Sequence, residues 1–373
     1  MKVLELKNVF RINQTTNENY VSYYTKINVK DLIKISETLR LSDSRKGIQR
    51  HLDLDRVNNI ALYCEREDAI FPTPIVLTLN KDFVTNDLER DSFIELDLNM
   101  IDLLGKPFSI IDGQHRIEGI KKYIERNYES KDFELPIIIF MDADLTMSAN
   151  IFVTINSNQK PVDKSIIYEL FGIMYENNEV YTVESFANRV VKILNETKSS
   201  PFYNSIRILG RKTNSKQFIS QGTVAKKIVE RVSSPQNIII DNNNIKKGLK
   251  IEEDQRRIYR HYFANNRPEI VAKIMINFFK AFSEVFDEFW KNTYITKKAV
   301  GFSGLMKLLD TIYKNEKNLK YENFLEIFSE MKAEHYEDIE KTLLISGSSE
   351  SVANSIGNKL SDIYLTTSKS TKN

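Results

Sequence analysis

Phe108-Ser-Ile-Ile-Asp112-Gly113-Gln114-His115-Arg116-Ile-Glu118-Gly119-Ile120 sets a strand, a turn and a helix end to end. Phe108 to Ile111 is apolar enough for a buried strand end. Ile117, Ile120 and Ile124 then recur on one helical face. Between them an acid, a glycine, an amide, an imidazole and a guanidinium follow consecutively. Gly113 permits a positive φ or a close backbone approach. Asp112 can cap the helix by accepting from N–H groups two or three residues on. Helix N-termini attract anions, and Arg116 in the first turn adds a bidentate phosphate ligand. His115 can donate to a phosphate or move a proton. Gln114 can orient a water or read a base edge, and Asp112 can hold a divalent cation that bridges phosphates. A structural alternative stands beside this: an Asp cap, a Gly turn, and Arg116 paired with Glu118 or Asp112. A cation in a first turn opposes the helix dipole, which hints at a bound anion.

The pattern extends outward. Residues 1–29 alternate, with Val21, Tyr23, Tyr24, Ile27 and Val29 as strand formers, and predict two strands joined as a hairpin through 13–19. Lys30–Leu41 has helical spacing. A polar loop, Ser42–Gly47, and Gln49-Arg50 precede a second helix over Asp53–Glu67. Phe71-Pro-Thr-Pro74 breaks any helix and opens a strand over Ile75–Leu79. Phe93–Leu98 and Leu135–Met141 are further strands, and a helix over Met147–Asn156 runs into a polar turn that ends at Pro161.

From Lys164 onward strands nearly vanish. Helical periodicity covers Lys164–Asn178, Val183–Leu194, Thr223–Val232, Asp254–Ala264, Pro268–Lys291, Gly304–Asn315, Tyr321–Ala333 and Val352–Leu360, with Asn242–Gly248 as a polar connector. The fold class is therefore α+β. A mixed α/β domain is expected over 1–163 and a mostly α-helical domain over 164–365. The tail 366–373 lacks apolar anchors and is expected to be disordered.

Bulk composition narrows the function. The 373 residues include 53 basic and 51 acidic side chains, a formal charge of +2, which argues against a histone-like binder but leaves local basic patches open. Cys64 is the sole cysteine, so no disulfide can form within the chain, and a reducing, cytoplasmic home is expected. With only His51, His115, His261 and His335 beside it, a structural zinc site has little to draw on. Cys64 in a helical stretch fits a small buried residue better than a nucleophile. The apolar run Leu135–Met141 is too short to span a bilayer, and no signal peptide or membrane contact is expected.

Ile111-Asp-Gly-Gln-His-Arg-Ile-Glu118 resembles the signature of the DGQHR-domain family, which includes DndB-like proteins associated with bacterial DNA phosphorothioation. The same region is similar to the ParB/sulfiredoxin-like fold. Gln49-Arg50 before a helix, Phe71–Leu77, Phe133–Phe140 and Phe152-Val-Thr-Ile-Asn156-Ser-Asn158-Gln159-Lys160-Pro161-Val162 extend the resemblance over residues 45–170. It implies a ParB-like N-terminal domain and a nucleotide pocket in a DNA modification or phage-defence system. On that reading Gly113, Gln114 and Arg116 line the pocket, with Gln49, Arg50, Asn156, Gln159 and Lys160 as further nucleotide-binding residues. Arg116 and Arg50 would hold phosphates. Asp112 and His115 would be catalytic, with Asp112 on Mg2+ or the attacking water of a nucleoside triphosphate. The implied partners are DNA, a nucleotide, other DNA-modification proteins and a second copy of the chain. No Walker A run occurs, so any hydrolysis is of a non-P-loop kind. His115 stands where DGQQR relatives carry a second Gln, so catalysis does not carry over unchanged.

Arg207, Arg211, Lys212 and Lys216 form a short basic segment, with Lys226, Lys227 and Arg231 on the following helix. With Gln217, Ser220, Gln221 and Thr223 this is a candidate DNA-facing loop and helix start; a solvated connector is the plainer reading. Lys297-Lys298 is either a DNA-backbone contact or a helix end. The aromatic stripe from Phe278 to Trp290 suits a packed helix core better than base stacking. Two functions follow: a non-P-loop nucleoside-triphosphate-binding protein, or a non-enzymatic DNA-binding transcriptional regulator of a DNA sulfur-modification operon.

Overall fold

The computed structural model describes residues 3–13, 21–38, 52–126, 131–157, 164–175, 180–210, 212–291 and 294–370. The chain divides into two compact units, Met1–Pro161 and Val162–Asn373.

The first unit runs β1 (Val3–Leu6), β2 (Phe10–Asn13), β3 (Val21–Asn28), α1 (Val29–Ile35), β4 (Ser36–Glu37), α2 (Leu54–Cys64), β5 (Ile75–Leu79), β6 (Ile94–Asp97), α3 (Ile101–Leu104), β7 (Phe108–Asp112), α4 (Gln114–Arg126), β8 (Glu134–Met141) and α5 (Leu145–Ser157). Among the described residues one mixed sheet has the order β2-β3-β8-β5-β7-β4, and β1 pairs with β6 in a separate antiparallel ladder. β5 lies between β8, which is parallel to it, and β7, which is antiparallel. Its Ile75, Val76, Leu77 and Leu79 are all buried, as in a strand covered on both faces. Val76 pairs with Asp112, so the turn after β7 lies at the start of β5, beside the Phe71–Pro74 segment. α2 and α4 pack closely, and Gly119 makes this possible: a Cβ there would lie 2.4 Å from Ile60 Cγ2. Cys64 sits fully buried in this core.

The second unit runs α6 (Lys164–Met174), α7 (Val183–Glu196), β9 (Ile206–Arg207), β10 (Ile219–Ser220), α8 (Gln221–Val232), α9 (Ile238–Lys246), α10 (Arg260–Ala264), α11 (Pro268–Val285), α12 (Ala299–Asn315), α13 (Tyr321–Leu343) and α14 (Glu350–Ser370). The α+β class, a mixed sheet region followed by a helical part, is as expected. The aromatic stripe is core: Phe278, Phe279, Phe282, Phe286 and Phe289 are buried, and Phe279 meets Phe202 edge-on with ring centroids 4.9 Å apart.

Several expectations need correction. The first helix ends at Ile35, and Ser36–Glu37 join β7 as a short edge strand. β2 and β3 do pair antiparallel, but their connection lies outside the described residues, and β1 pairs elsewhere. Asn242–Lys246, expected as connector, belongs to α9. That helix turns Asp241 inward, where Arg260 grips it at 2.8 and 2.9 Å, and leaves Ile239 and Ile240 exposed. A helix anchored by an ion pair, with isoleucines outside, has no apolar stripe to announce it. Of Asp254–Ala264 only Arg260–Ala264 is helical. Residues 366–370, expected as disordered tail, continue α14, and Thr367 is buried on it; 371–373 lie outside the described residues.

Candidate functional site

β7 delivers the chain to Asp112, Gly113 turns it at φ +106°, and α4 begins at Gln114. Any other residue at 113 would be strained by that φ, and its Cβ would lie 2.5 Å from Ile75 Cδ1. The glycine thus serves the close packing of the turn on β5.

The polar residues that follow turn inward. Gln114 and His115 are buried. His115 Nε2 accepts from the Asp53 backbone N–H at 3.1 Å, so this nitrogen carries no proton here. Asp53 in turn caps α2, its Oδ1 accepting from the N–H groups of Asp55 and Arg56. His115 therefore ties the start of α4 to the start of α2. Arg116 Nη1 donates to the Thr73 carbonyl and, at 2.8 Å, to Thr73 Oγ1, and Nη2 donates to the Pro74 carbonyl at 2.9 Å. Asp112 Oδ2 stands 3.6 Å from Nη2. Burial pushes the guanidinium below its ordinary basicity, and Asp112 opposes that shift.

The Arg–Asp pair was open to sequence reasoning; the Thr73 and Pro74 acceptors were missed. Their signal lay in Phe71-Pro-Thr-Pro74. The prolines keep this segment out of a helix or a sheet ladder, which leaves its carbonyls open to a long side-chain donor. Gln49, Arg50, Gln159 and Lys160 lie outside the described residues. Asn156 falls in the last turn of α5, a helix that packs against β7, and its side chain is likewise outside the description. Among the described residues no group of three or more His, Cys, Asp or Glu side chains comes together.

The basic segment of the second unit behaves differently. Arg211 lies outside the described residues, while Lys212 and Lys216 are exposed on the loop between β9 and β10. Arg207 is half-buried in β9, opposite Ser220. The amides of this segment are interior staples. Gln217 accepts from Thr213 N–H at 2.7 Å, and Gln221 donates to Glu169 and Asn188 at 2.7 Å each. Lys227 is buried against Glu230 and Glu350, and Arg231 forks onto Asp310 at 2.6 and 2.7 Å. Burial pushes the Asp310 carboxyl up against the pull of Arg231. Lys297 Nζ lies 5.6 Å from the Phe218 ring centroid and 5.8 Å from that of Trp290. That stacking joins the end of the Lys212–Phe218 loop to the Lys297-Lys298 segment, with Lys298 exposed. Sequence reasoning singled out both stretches but did not join them.

A family model described as DndB, DNA-sulfur modification-associated, matches residues 8–333. No curated protein and no solved structure matches the chain.

Proposed function

The chain belongs to the DndB family of DNA-sulfur modification-associated proteins, and on that premise we propose that it is a DNA-binding regulator whose second unit carries the contact surface. The observation that supports this most is the Lys297 contact with Phe218 and Trp290, which ties the loop carrying the exposed Lys212 and Lys216 to the segment carrying the exposed Lys298. Exposed lysines on a short loop and at a helix start are the groups that neutralise backbone phosphates. The motif turn, on this reading, is the clamp that holds Phe71–Pro74 and α2 to α4. Fluorescence anisotropy with duplex DNA from the gene's own upstream region tests it. Affinity falls linearly on a log–log salt plot, and each of Lys212→Ala, Lys216→Ala and Lys298→Ala lowers the slope by about one. Binding that is absent, or indifferent to salt, overturns the reading.

A second reading keeps a nucleoside triphosphate with Mg2+ at the turn. It is favoured by Asp112, whose side chain is 30% exposed beside the Arg116 guanidinium. It requires Arg116 to exchange the Thr73 and Pro74 oxygens for phosphate oxygens. Calorimetry with each nucleoside triphosphate decides: heat that vanishes in Asp112→Ala supports it, and no heat with or without Mg2+ removes it.

A further inference from the structure

A cavity of about 350 Å³ opens in the second unit, where the first turns of α8, α12 and α14 meet. Its wall includes Lys226, Lys227, Ser220, Thr223, Ser303 and Ser349. The volume lies at the small end of ligand sites. We propose that this cavity is a binding site for the phosphoryl group of a small molecule, next to the lysines offered to DNA.

Charge is the first argument. Lys227 is 6% exposed, an uncommon burial for a lysine, and it reaches the cavity wall. Its two carboxylate neighbours are themselves open to solvent: Glu350 at 2.6 Å is 58% exposed and Glu230 at 3.0 Å is 38% exposed. Lys226, half-exposed, adds a second ammonium one residue away, 3.5 Å from the same Glu230. Lys227 holds the Glu350 carboxyl below the usual carboxylate range. Glu350 is therefore ionised at neutral pH and occupies the buried cation from the rim, where an incoming oxyanion can displace it into water.

Donor geometry is the second. α8, α12 and α14 are long helices, and each places the positive end of its dipole at the cavity, about half a charge apiece. Ser220 Oγ caps α8 through Thr223 N–H, and Ser349 Oγ accepts from Val352 N–H. At α12 the capping residue is Lys298, whose side chain makes no capping bond. Two lysines, several serine and threonine residues and three helix starts thus border one space, against two solvent-reaching carboxylates, Glu350 in the wall and Glu230 beside the lysines. That donor set suits a tetrahedral oxyanion.

Titration calorimetry of the full chain with inorganic phosphate, at constant ionic strength, tests the assignment. Saturable one-site binding is expected. Lys226→Ala, a half-exposed position with little effect on folding, weakens it by about tenfold, as for a charged hydrogen bond. Glu350→Gln tightens it, since one competing carboxylate is gone. A thermal melt of each variant confirms folding. No phosphate binding, or binding unchanged in both variants, overturns the proposal. The DNA measurement separates the two readings. If phosphate binds while DNA does not, the cavity stands and the DNA-binding reading falls. If DNA binds and Lys226→Ala weakens only that, the cavity is part of the DNA face and the small-molecule site falls.

Discussion

The cations near the starts of α4 and α8 are used in opposite ways. At α4, Arg116 turns its donors onto Thr73 and Pro74, and His115 accepts from Asp53. At α8, the lysines border an open cavity, and the loop before it holds Lys212 and Lys216 in solvent. The conspicuous motif is the one turned inward. A run of unusual polar residues marks a place where the backbone makes unusual demands, and those demands can be the chain's own. The plainer basic segment, with no signature of its own, keeps charge available to a partner.

The contrast breaks most readily at the turn. Gly113→Ala combines a strained positive φ with a clash on Ile75, and should cost about 3 kcal/mol by the usual penalty for overpacking. Urea denaturation measures it; a variant as stable as the parent means the turn is not packed as described. Arg116→Lys comes next. One ammonium cannot serve Thr73 and Pro74 together as the forked guanidinium does, and the loss should be about 2 kcal/mol. The paired control is Lys212→Ala with Lys216→Ala, where stability should move by less than about 0.5 kcal/mol. Equal losses at the two sites would erase the distinction. The smallest effect concerns Cys64. Burial raises its thiol from 9.0 to about 11. An unfolded thiol would lose its proton first as pH rises from 9, so folded stability declines between pH 9 and about 11 and is unaffected by this group below 9. Alkylation at pH 8 should be slow in the folded protein and fast in urea; rapid labelling in both would show that the first unit's core is open.

Much of the first unit was legible. The strands over 75–79, 108–112 and 134–141 announce themselves by apolar runs between Pro, Gly and polar breaks, and that over 94–97 by alternation. The strand–turn–helix at 108–126 was legible for the same reason. What the turn does was not, because Arg116's partners lie more than forty residues upstream, in a segment read only as a helix breaker. In the second unit the long apolar helices were readable from their stripes. α9 was not, since its buried side chain is Asp241 on Arg260, with only Ile238 and Ile245 packing on the core beside it, and charge pairing leaves no period in hydropathy. Lys297 and Phe218 were likewise joined only by tertiary packing.

The strand order bears on how the first unit is made. Among the described residues β8 is the last strand of its sheet in chain order, lies between β3 and β5, and joins the β2-β3 pair to the β5-β7-β4 group. During synthesis, β5 is exported some sixty residues before the neighbour that covers one of its edges. Until residue 141 has emerged, an apolar strand edge stays open for wrong partners, as in other slow, non-local sheets. The nascent chain is most prone to aggregate in that interval, and a fragment that stops short of β8 should behave as a holdase client rather than as a small domain.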